Sequence, residues 1–301
     1  MAAFTFDYIS ASDGRRLRTG VFQPDGRARA LCVLLTGQTE FIEKYLEVIA
    51  ELNGRGYIVA TFDWRGQGGS QRVLRNPLKA HVGDFAEYDT DLVSFMDQIA
   101  SKLSPVPPLM LAHSLGSHLG LRALHDHPEM FHAGVLVAPM LGIATRGYPQ
   151  WLTRSLTALQ TRRGKSRRFA WGMAERDPFR VDFATQLCTS DAVRFGRAQG
   201  ILRGDPQIRL AGPTWGWIDA AYRAIKQTAA TGYAEAIKTP LLVIGAGKDR
   251  IVLTEATRRF AARLPRARMI EFEDSEHEIL MENDAIRARF WAEFDGFVAG
   301  L

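Results

Sequence analysis

Apolar residues gather along this chain in two kinds of run. Short unbroken ones, within Ala30 to Thr36, Tyr57 to Phe62, Leu109 to His113 and Gly134 to Ala138, predict strands buried on both faces, because a half-buried strand would alternate. Between them lie stretches with helical spacing. Phe41 to Asn53 ends in Gly54 and Gly56, which suit a C-terminal cap, Glu87 to Leu103 is closed by Pro105, and Leu115 to His125 follows the third run. With Arg16 to Phe22 as an earlier strand, this alternation predicts an α/β architecture, a mostly parallel central sheet flanked by helices.

The rhythm stops near Pro139. The next hundred residues are arginine-rich, contain tryptophans and are helical in pattern, without a convincing buried strand. Alternation resumes with a strand over Leu241 to Gly245, a helix over Thr254 to Leu264, a strand over Met269 to Phe272 and a helix over Asp284 to Val298. The arrangement that fits is one α/β domain from residues 1–139 and 240–301, interrupted by a helical insertion over 140–239.

At 301 residues, 46% hydrophobic and 24% charged, the chain has the make-up of a soluble globular protein. No apolar run reaches the ~18 residues that a membrane span requires. The first residues, Met1-Ala-Ala-Phe-Thr-Phe-Asp7, show neither the basic nor the apolar region of a secretory signal. Cys32 and Cys188 do not suggest a disulfide framework, so a cytoplasmic protein is expected. Neither a Cys/His cluster at zinc spacing nor a phosphate-cradling glycine loop occurs, and no metal or cofactor is expected.

The net charge of +5 conceals an uneven distribution. Met140 to Lys238 carries 16 Lys+Arg against 7 Asp+Glu, leaving 22 against 26 elsewhere. A basic insertion on a slightly acidic body suits an anionic surface such as phospholipid headgroups at the inner membrane face, with Arg162, Arg163, Lys165, Arg167 and Arg168 as the candidate patch. The plain alternative is a solvated helical face that uses arginine. No recognised binding motif accompanies the charge, so nucleic acid is not an expected partner. The sequence leaves the oligomeric state open.

The candidate chemistry centres on Leu109-Met-Leu-Ala-His-Ser-Leu-Gly116. Strand, sharp turn and helix form the layout of a nucleophile elbow, with Ser114 at the turn and Ala112 in place of the first glycine of G-x-S-x-G. A serine hydroxyl needs an adjacent base, and that base needs a third group to orient it. Asp249 lies just past the strand that starts at Leu241, where open α/β sheets build their sites, and His277 lies in Ser275-Glu-His-Glu278 after the last strand. Alone, Asp249 reads equally as a turn residue and His277 as a solvated loop histidine. Together, in the order Ser…Asp…His, they predict a triad of Ser114, Asp249 and His277.

Competing residues are weaker. His81 precedes the helix over Glu87 to Leu103, His113 is held inside the elbow, Asp63 ends a strand and braces a loop, and Cys32 is a core residue. Acyl transfer also needs donors for the developing oxyanion. The N–H of Leu115 opens a helix and is one candidate. The N–H of Gln38, after Thr36-Gly37, is the second, although an ordinary strand-ending turn would look similar.

These residues sit in a wider pattern. Thr36-Gly-Gln-Thr-Glu-Phe-Ile-Glu-Lys-Tyr45, Phe62-Asp-Trp-Arg-Gly-Gln-Gly-Gly-Ser70, Ala80-His-Val-Gly-Asp-Phe85, Thr189-Ser-Asp-Ala-Val-Arg194 and Pro213-Thr-Trp-Gly-Trp217 span nearly the whole chain. In them the chain resembles the bacterial lysophospholipase L2 and monoacylglycerol lipase group of α/β-hydrolases. The resemblance implies an α/β-hydrolase fold with an inserted helical cap, and a small lipid ester substrate reached through a pocket beneath it. Trp215, Trp217 and Met140 are the expected pocket residues, with core packing as the alternative for two tryptophans at i, i+2. Thr36, Ala112 and Ser117 depart from the His, Gly and Gly of many relatives, at positions that shape the acyl site. The expected activity is carboxylic ester hydrolysis through an acyl-enzyme. A general short-chain carboxylesterase or lactonase on the same triad, and a non-catalytic binding protein on the same fold, are the alternatives.

Overall fold

The unbroken apolar runs form the middle of a single sheet, because helices cover both of its faces. The computed structural model describes residues 6–145, 147–173 and 181–301. In chain order the strands are β1 (Asp7–Ser10), β2 (Arg16–Phe22), β3 (Ala30–Leu35), β4 (Tyr57–Phe62), β5 (Lys79–Ala80), β6 (Leu109–His113), β7 (Ala133–Val137), β8 (Gly212–Pro213), β9 (Leu241–Ala246) and β10 (Ala267–Phe272). Eight of them pair in the order β1-β2-β4-β3-β6-β7-β9-β10. The pairings β1/β2 and β2/β4 are antiparallel and the other five are parallel.

The helices are α1 (Leu46–Gly54), α2 (Ala86–Phe95), α3 (Ser101–Leu103), α4 (Leu115–Asp126), α5 (Gln150–Gln160), α6 (Ala192–Gly204), α7 (Trp215–Thr228), α8 (Tyr233–Ala236), α9 (Thr254–Ala261) and α10 (Asp284–Ala299). Successive side chains on a strand point to opposite faces, and β3 divides its residues accordingly. Leu31, Val33 and Leu35 join a core with Leu92 of α2, Leu119 of α4 and Phe260 of α9. Cys32 and Leu34 join a second core with Val48 of α1 and Phe290 and Phe294 of α10.

Two pairings were absent from the sequence reading. β1 buries only Ile9 of its four residues, so it carries no apolar run. β5 and β8 form a separate two-stranded sheet, Lys79 opposite Gly212 and Ala80 opposite Pro213, which joins the insertion to the segment after β4. The helix expected over Glu87 to Leu103 runs from Ala86 to Leu103, with a π-turn at Met96–Ala100 within it.

Further ties link the insertion to segments leaving the carboxyl ends of β3 and β10. Arg194 of α6 pairs with Glu47 of α1 at 2.7 Å. The N–H of Glu278 donates to the carbonyl of Cys188 at 2.7 Å, and the Thr189 hydroxyl donates to that of Met281 at 2.7 Å.

Candidate active site

Ser114 stands between β6 and α4 in a conformation that L-residues rarely adopt, with φ 50° and ψ −110°. Its N–H donates to the carbonyl of Val137 at 2.9 Å, and its own carbonyl accepts the N–H groups of His118 and Met140, each at 3.1 Å. Gly116 is obligatory here, since a Cβ would lie 2.3 Å from the carbonyl oxygen of Leu35 and 2.7 Å from that of Thr36. Thr39 and Ala138 also have positive φ, 63° and 43°. Such strain clusters where surrounding structure over-determines a backbone, and these residues lie on the loops around the elbow.

The loops after β9 and β10 bring Asp249 and His277 to this turn. His277 Nε2 lies 2.9 Å from Ser114 Oγ, and its Nδ1 lies 2.6 Å from Asp249 Oδ2. An ionised carboxylate only accepts, so Nδ1 carries the proton and Nε2 offers its lone pair to the serine hydroxyl. Asp249 Oδ1 accepts the N–H groups of Ile251 at 2.8 Å and Val252 at 2.9 Å. Burial alone would raise this carboxyl, but His277 and these N–H donors outweigh it and hold it below the usual carboxylate range.

The segment after β3 holds the oxyanion candidates. The N–H groups of Gly37 and Thr39 are taken by Glu40 Oε2 and Gln67 Oε1. Among the described residues Gln38 N–H, between them, has no acceptor, and Leu115 N–H is an unsatisfied first-turn donor of α4.

Glu40 organises this loop, and the sequence reading missed it. Its carboxylate also accepts the Tyr45 hydroxyl at 2.5 Å, Lys44 Nζ at 2.9 Å and His113 Nδ1 at 3.1 Å. Lys44 reaches Glu278 at 2.6 Å, and His113 Nε2 lies 3.3 Å from the carbonyl oxygen of His277. Burial opposes the charge on Glu40, yet Lys44 and His113 hold its carboxyl well below the usual value. Burial also opposes the charge on His113, and Glu40 more than offsets it, raising the imidazole. The i, i+4 spacing of Glu40 and Lys44 was the available signal; Glu278 is too distant in sequence to be linked to them.

The other candidates lie apart from Ser114 Oγ. His81 Nδ1 meets the Thr214 hydroxyl at 2.8 Å. Asp63 takes Arg18 Nε at 2.6 Å and the N–H of Ile42 at 3.0 Å, bracing the loop before α1. A cavity of about 260 Å³ lies between insertion and core, bounded by Thr39, Lys44, Phe195, Leu202, Glu278 and Met281 among others. Trp215, Trp217 and Met140 are not in its lining. Trp217 faces the core instead, its Nε1 donating to the Tyr88 hydroxyl at 3.0 Å, because α7 packs this face toward α2. Trp215 lies edge-on to Trp171 at 5.4 Å, and Met140 supports the elbow through its N–H.

Known proteins share both this sequence and this fold. The family described as "Serine aminopeptidase, S33" matches residues 26–284. Lysophospholipase L2 of Escherichia coli K12 is 32% identical over 277 residues, covering 85% of this chain and 76% of that protein. The probable lysophospholipase L2 of Haemophilus influenzae is 27% identical over 285 residues, covering 94% of this chain and 88% of that protein. A soluble variant of the Saccharomyces cerevisiae monoglyceride lipase, solved with a substrate analogue, superposes with a TM-score of 0.79 at 18% identity, covering 99% of this chain and 95% of the other. The chain belongs to the "Serine aminopeptidase, S33" family, among the α/β-hydrolases of the lysophospholipase L2 and monoglyceride lipase group.

Proposed function

We propose that this chain is a serine hydrolase that cleaves the acyl ester of single-chain lipids, lysophospholipids or monoacylglycerols. The observation that carries the reading is the continuous Ser114–His277–Asp249 hydrogen-bond chain at a strained strand-to-helix turn. The printed names of the relatives, lysophospholipase L2 and monoglyceride lipase, support the substrate class.

In this reading Ser114 Oγ attacks the ester carbonyl carbon while His277 Nε2 takes the hydroxyl proton. Asp249 keeps the imidazole oriented and stabilises its positive charge. The N–H groups of Gln38 and Leu115 receive the developing oxyanion, each such donor contributing on the order of 10²–10³ in rate. His277 then passes the proton to the departing glycerol oxygen, leaving an acyl-serine. Water attacks the acyl carbon, His277 accepts its proton and returns it to Ser114, and the fatty acid leaves.

The insertion is proposed to act as a cap that also meets the lipid surface. Residues 140–173 contain seven Arg+Lys and no Asp or Glu. Trp151 and Trp171 are 68% and 70% exposed, and Tyr148, Leu152 and Leu159 are exposed nearby. Arg162, Arg163, Arg167 and Arg168 are exposed and Lys165 is half-buried. Exposed aromatic and aliphatic groups beside basic ones suit the headgroup boundary of an anionic membrane. Among the described residues no helix is long and apolar enough to cross a bilayer.

The test is hydrolysis of a lysophospholipid, a monoacylglycerol, a short soluble ester and an aminoacyl arylamide by the wild type and by Ser114→Ala. The expected result is Ser114-dependent cleavage favouring the long-chain esters. Preference for the arylamide or the short ester would overturn the lipid reading.

A further inference from the structure

Buried carboxylates in this protein come with cations. Asp63 and Asp91 hold Arg18 and Arg65, both at 2.6 Å, and Glu40 holds Lys44 at 2.9 Å. Glu282 departs from this pattern. It lies between β10 and α10, directly after the turn Ile279–Met281, and is fully buried. Its partners among the described residues carry no positive charge. Oε1 accepts the N–H groups of Ser190 at 3.1 Å and Glu276 at 3.0 Å. Oε2 accepts the Ser190 hydroxyl and, at 3.2 Å, the N–H of Asn283. A carboxylate removed from water needs such donors, and each donor in turn would be left unsatisfied without it.

These contacts meet at the loop that carries the base. Glu276 immediately precedes His277, and its N–H ends on Glu282 Oε1. Glu278 immediately follows, and its N–H ends on the carbonyl of Cys188. The peptide groups on both sides of His277 are therefore anchored to one stretch of the insertion, to Cys188 directly and to Ser190 through Glu282. The same stretch grips the loop further along. The Thr189 hydroxyl donates to the carbonyl of Met281 at 2.7 Å, and Arg194 Nη1 to that of Glu282 at 3.0 Å. This is the segment Thr189-Ser-Asp-Ala-Val-Arg194, whose Asp191 also caps α6. His277 has to reach Ser114 Oγ at 2.9 Å and Asp249 Oδ2 at 2.6 Å at once. A misplacement of about 1 Å can cost on the order of 10²-fold in rate, so the loop's anchorage bears on the chemistry.

We propose that Glu282 is a positioning residue for His277, and that by bridging Glu276 and Ser190 it makes the alignment of the base depend on the seating of the insertion. The proposal rests on the ester-hydrolase reading above and deepens it. Glu282 acts through the His277 loop and makes no hydrogen bond to Ser114 or Asp249.

The experiment measures the rate and the final stoichiometry of Ser114 labelling by a fluorophosphonate, with kcat and KM on a monoacylglycerol. It compares wild type with Glu282→Leu, Glu282→Asp, Glu282→Gln and Ser190→Ala. Leucine has similar bulk and no acceptor, and aspartate withdraws the carboxylate by one methylene. Both should label about tenfold or more slowly yet still reach one adduct per chain, with kcat falling and KM little changed. Glutamine, whose single oxygen can keep both Oε1 donors, should recover most of the rate. Ser190→Ala removes only the hydroxyl on the insertion side and should slow labelling about two- to tenfold, the loss of one hydrogen bond. Wild-type rates in the leucine and aspartate variants overturn the proposal. So does a lower stoichiometry at an unchanged rate, the signature of partial unfolding, and Glu282→Asp decides the matter if Glu282→Leu does not fold. Glutamine as slow as leucine would place the effect outside the Oε1 contacts and overturn it too. Parental labelling of Ser190→Ala overturns the dependence on the insertion. A wild type that takes no label fails the hydrolase reading itself, an outcome distinct from a labelled wild type with unaffected variants.

Discussion

Replacing Asp249 by Asn changes one atom's chemistry and almost none of the volume. The side chain is 1% exposed, and its Oδ1 receives the N–H groups of Ile251 and Val252 at 2.8 and 2.9 Å. An asparagine keeps its carbonyl on those two donors, which turns its NH₂ toward His277 Nδ1. The imidazole must then accept at Nδ1 and carry its proton on Nε2, facing Ser114. In that tautomer His277 cannot take the serine proton. The equivalent change in a serine protease costs about 10⁴ in kcat, or ~5.4 kcal/mol of barrier. The assay is kcat at saturating monoacylglycerol, with circular dichroism to establish that the variant is folded. A fall of less than tenfold in a folded Asp249→Asn protein would refute the assigned role. The carboxyl also leaves a signature in stability. Its folded pKa is depressed, so its contribution is fully present above the unfolded value of ~3.9 and is lost as pH falls through the lower folded value. The unfolding free-energy difference between wild type and Asp249→Asn should therefore be constant above pH ~5 and narrow below pH ~4. A gap independent of pH would mean that the carboxylate gains nothing from His277.

Other expectations follow from the same contacts. Glu40→Gln strips a buried charge from Lys44 and His113, and should destabilise the protein by about 3–5 kcal/mol in urea unfolding and slow ester cleavage; a silent substitution would show that the network does not hold the oxyanion loop. Gly116→Ala forces a methyl against two carbonyl oxygens that cannot retreat, and should cost at least ~1–3 kcal/mol and depress kcat, checked by denaturation and kinetics. Reversing Arg162, Arg163, Arg167 and Arg168 should weaken binding to anionic vesicles by ~1 kcal/mol for each contacting residue, less at high salt, with cleavage of a short soluble ester unchanged. Equal vesicle sedimentation by mutant and parent at low ionic strength would refute that surface.

What the sequence made legible follows from burial. β4 and β6 lie in the sheet interior and are apolar on both faces, so Tyr57–Phe62 and Leu109–His113 could be read to the residue. The elbow was legible because Ser114 and Gly116 obey a local steric rule. β1 was not, since an antiparallel edge strand with one buried residue leaves no periodic trace. The β5/β8 pairing was equally hidden, being two residues long and joining segments more than 130 positions apart. Trp217 was ambiguous between pocket and core for a different reason. An amphipathic helix start looks the same whether its aromatic face meets a ligand or, as for Trp217, Tyr88 and Phe85. The Glu40–Lys44–Glu278 cluster was invisible as a unit because Glu278 comes from the far end of the chain.

The central claim is that Ser114 is the nucleophile, and covalent capture tests it most directly. Wild-type protein treated with a fluorophosphonate should gain a single adduct, mapped by peptide mass spectrometry to the peptide containing His113-Ser114-Leu115, and lose ester hydrolysis in proportion. Ser114→Ala should take up no label and lose about 10⁶ in kcat, as when a triad nucleophile is removed in other serine hydrolases. An adduct on a different serine, or a folded Ser114→Ala protein that still hydrolyses ester, would contradict the account.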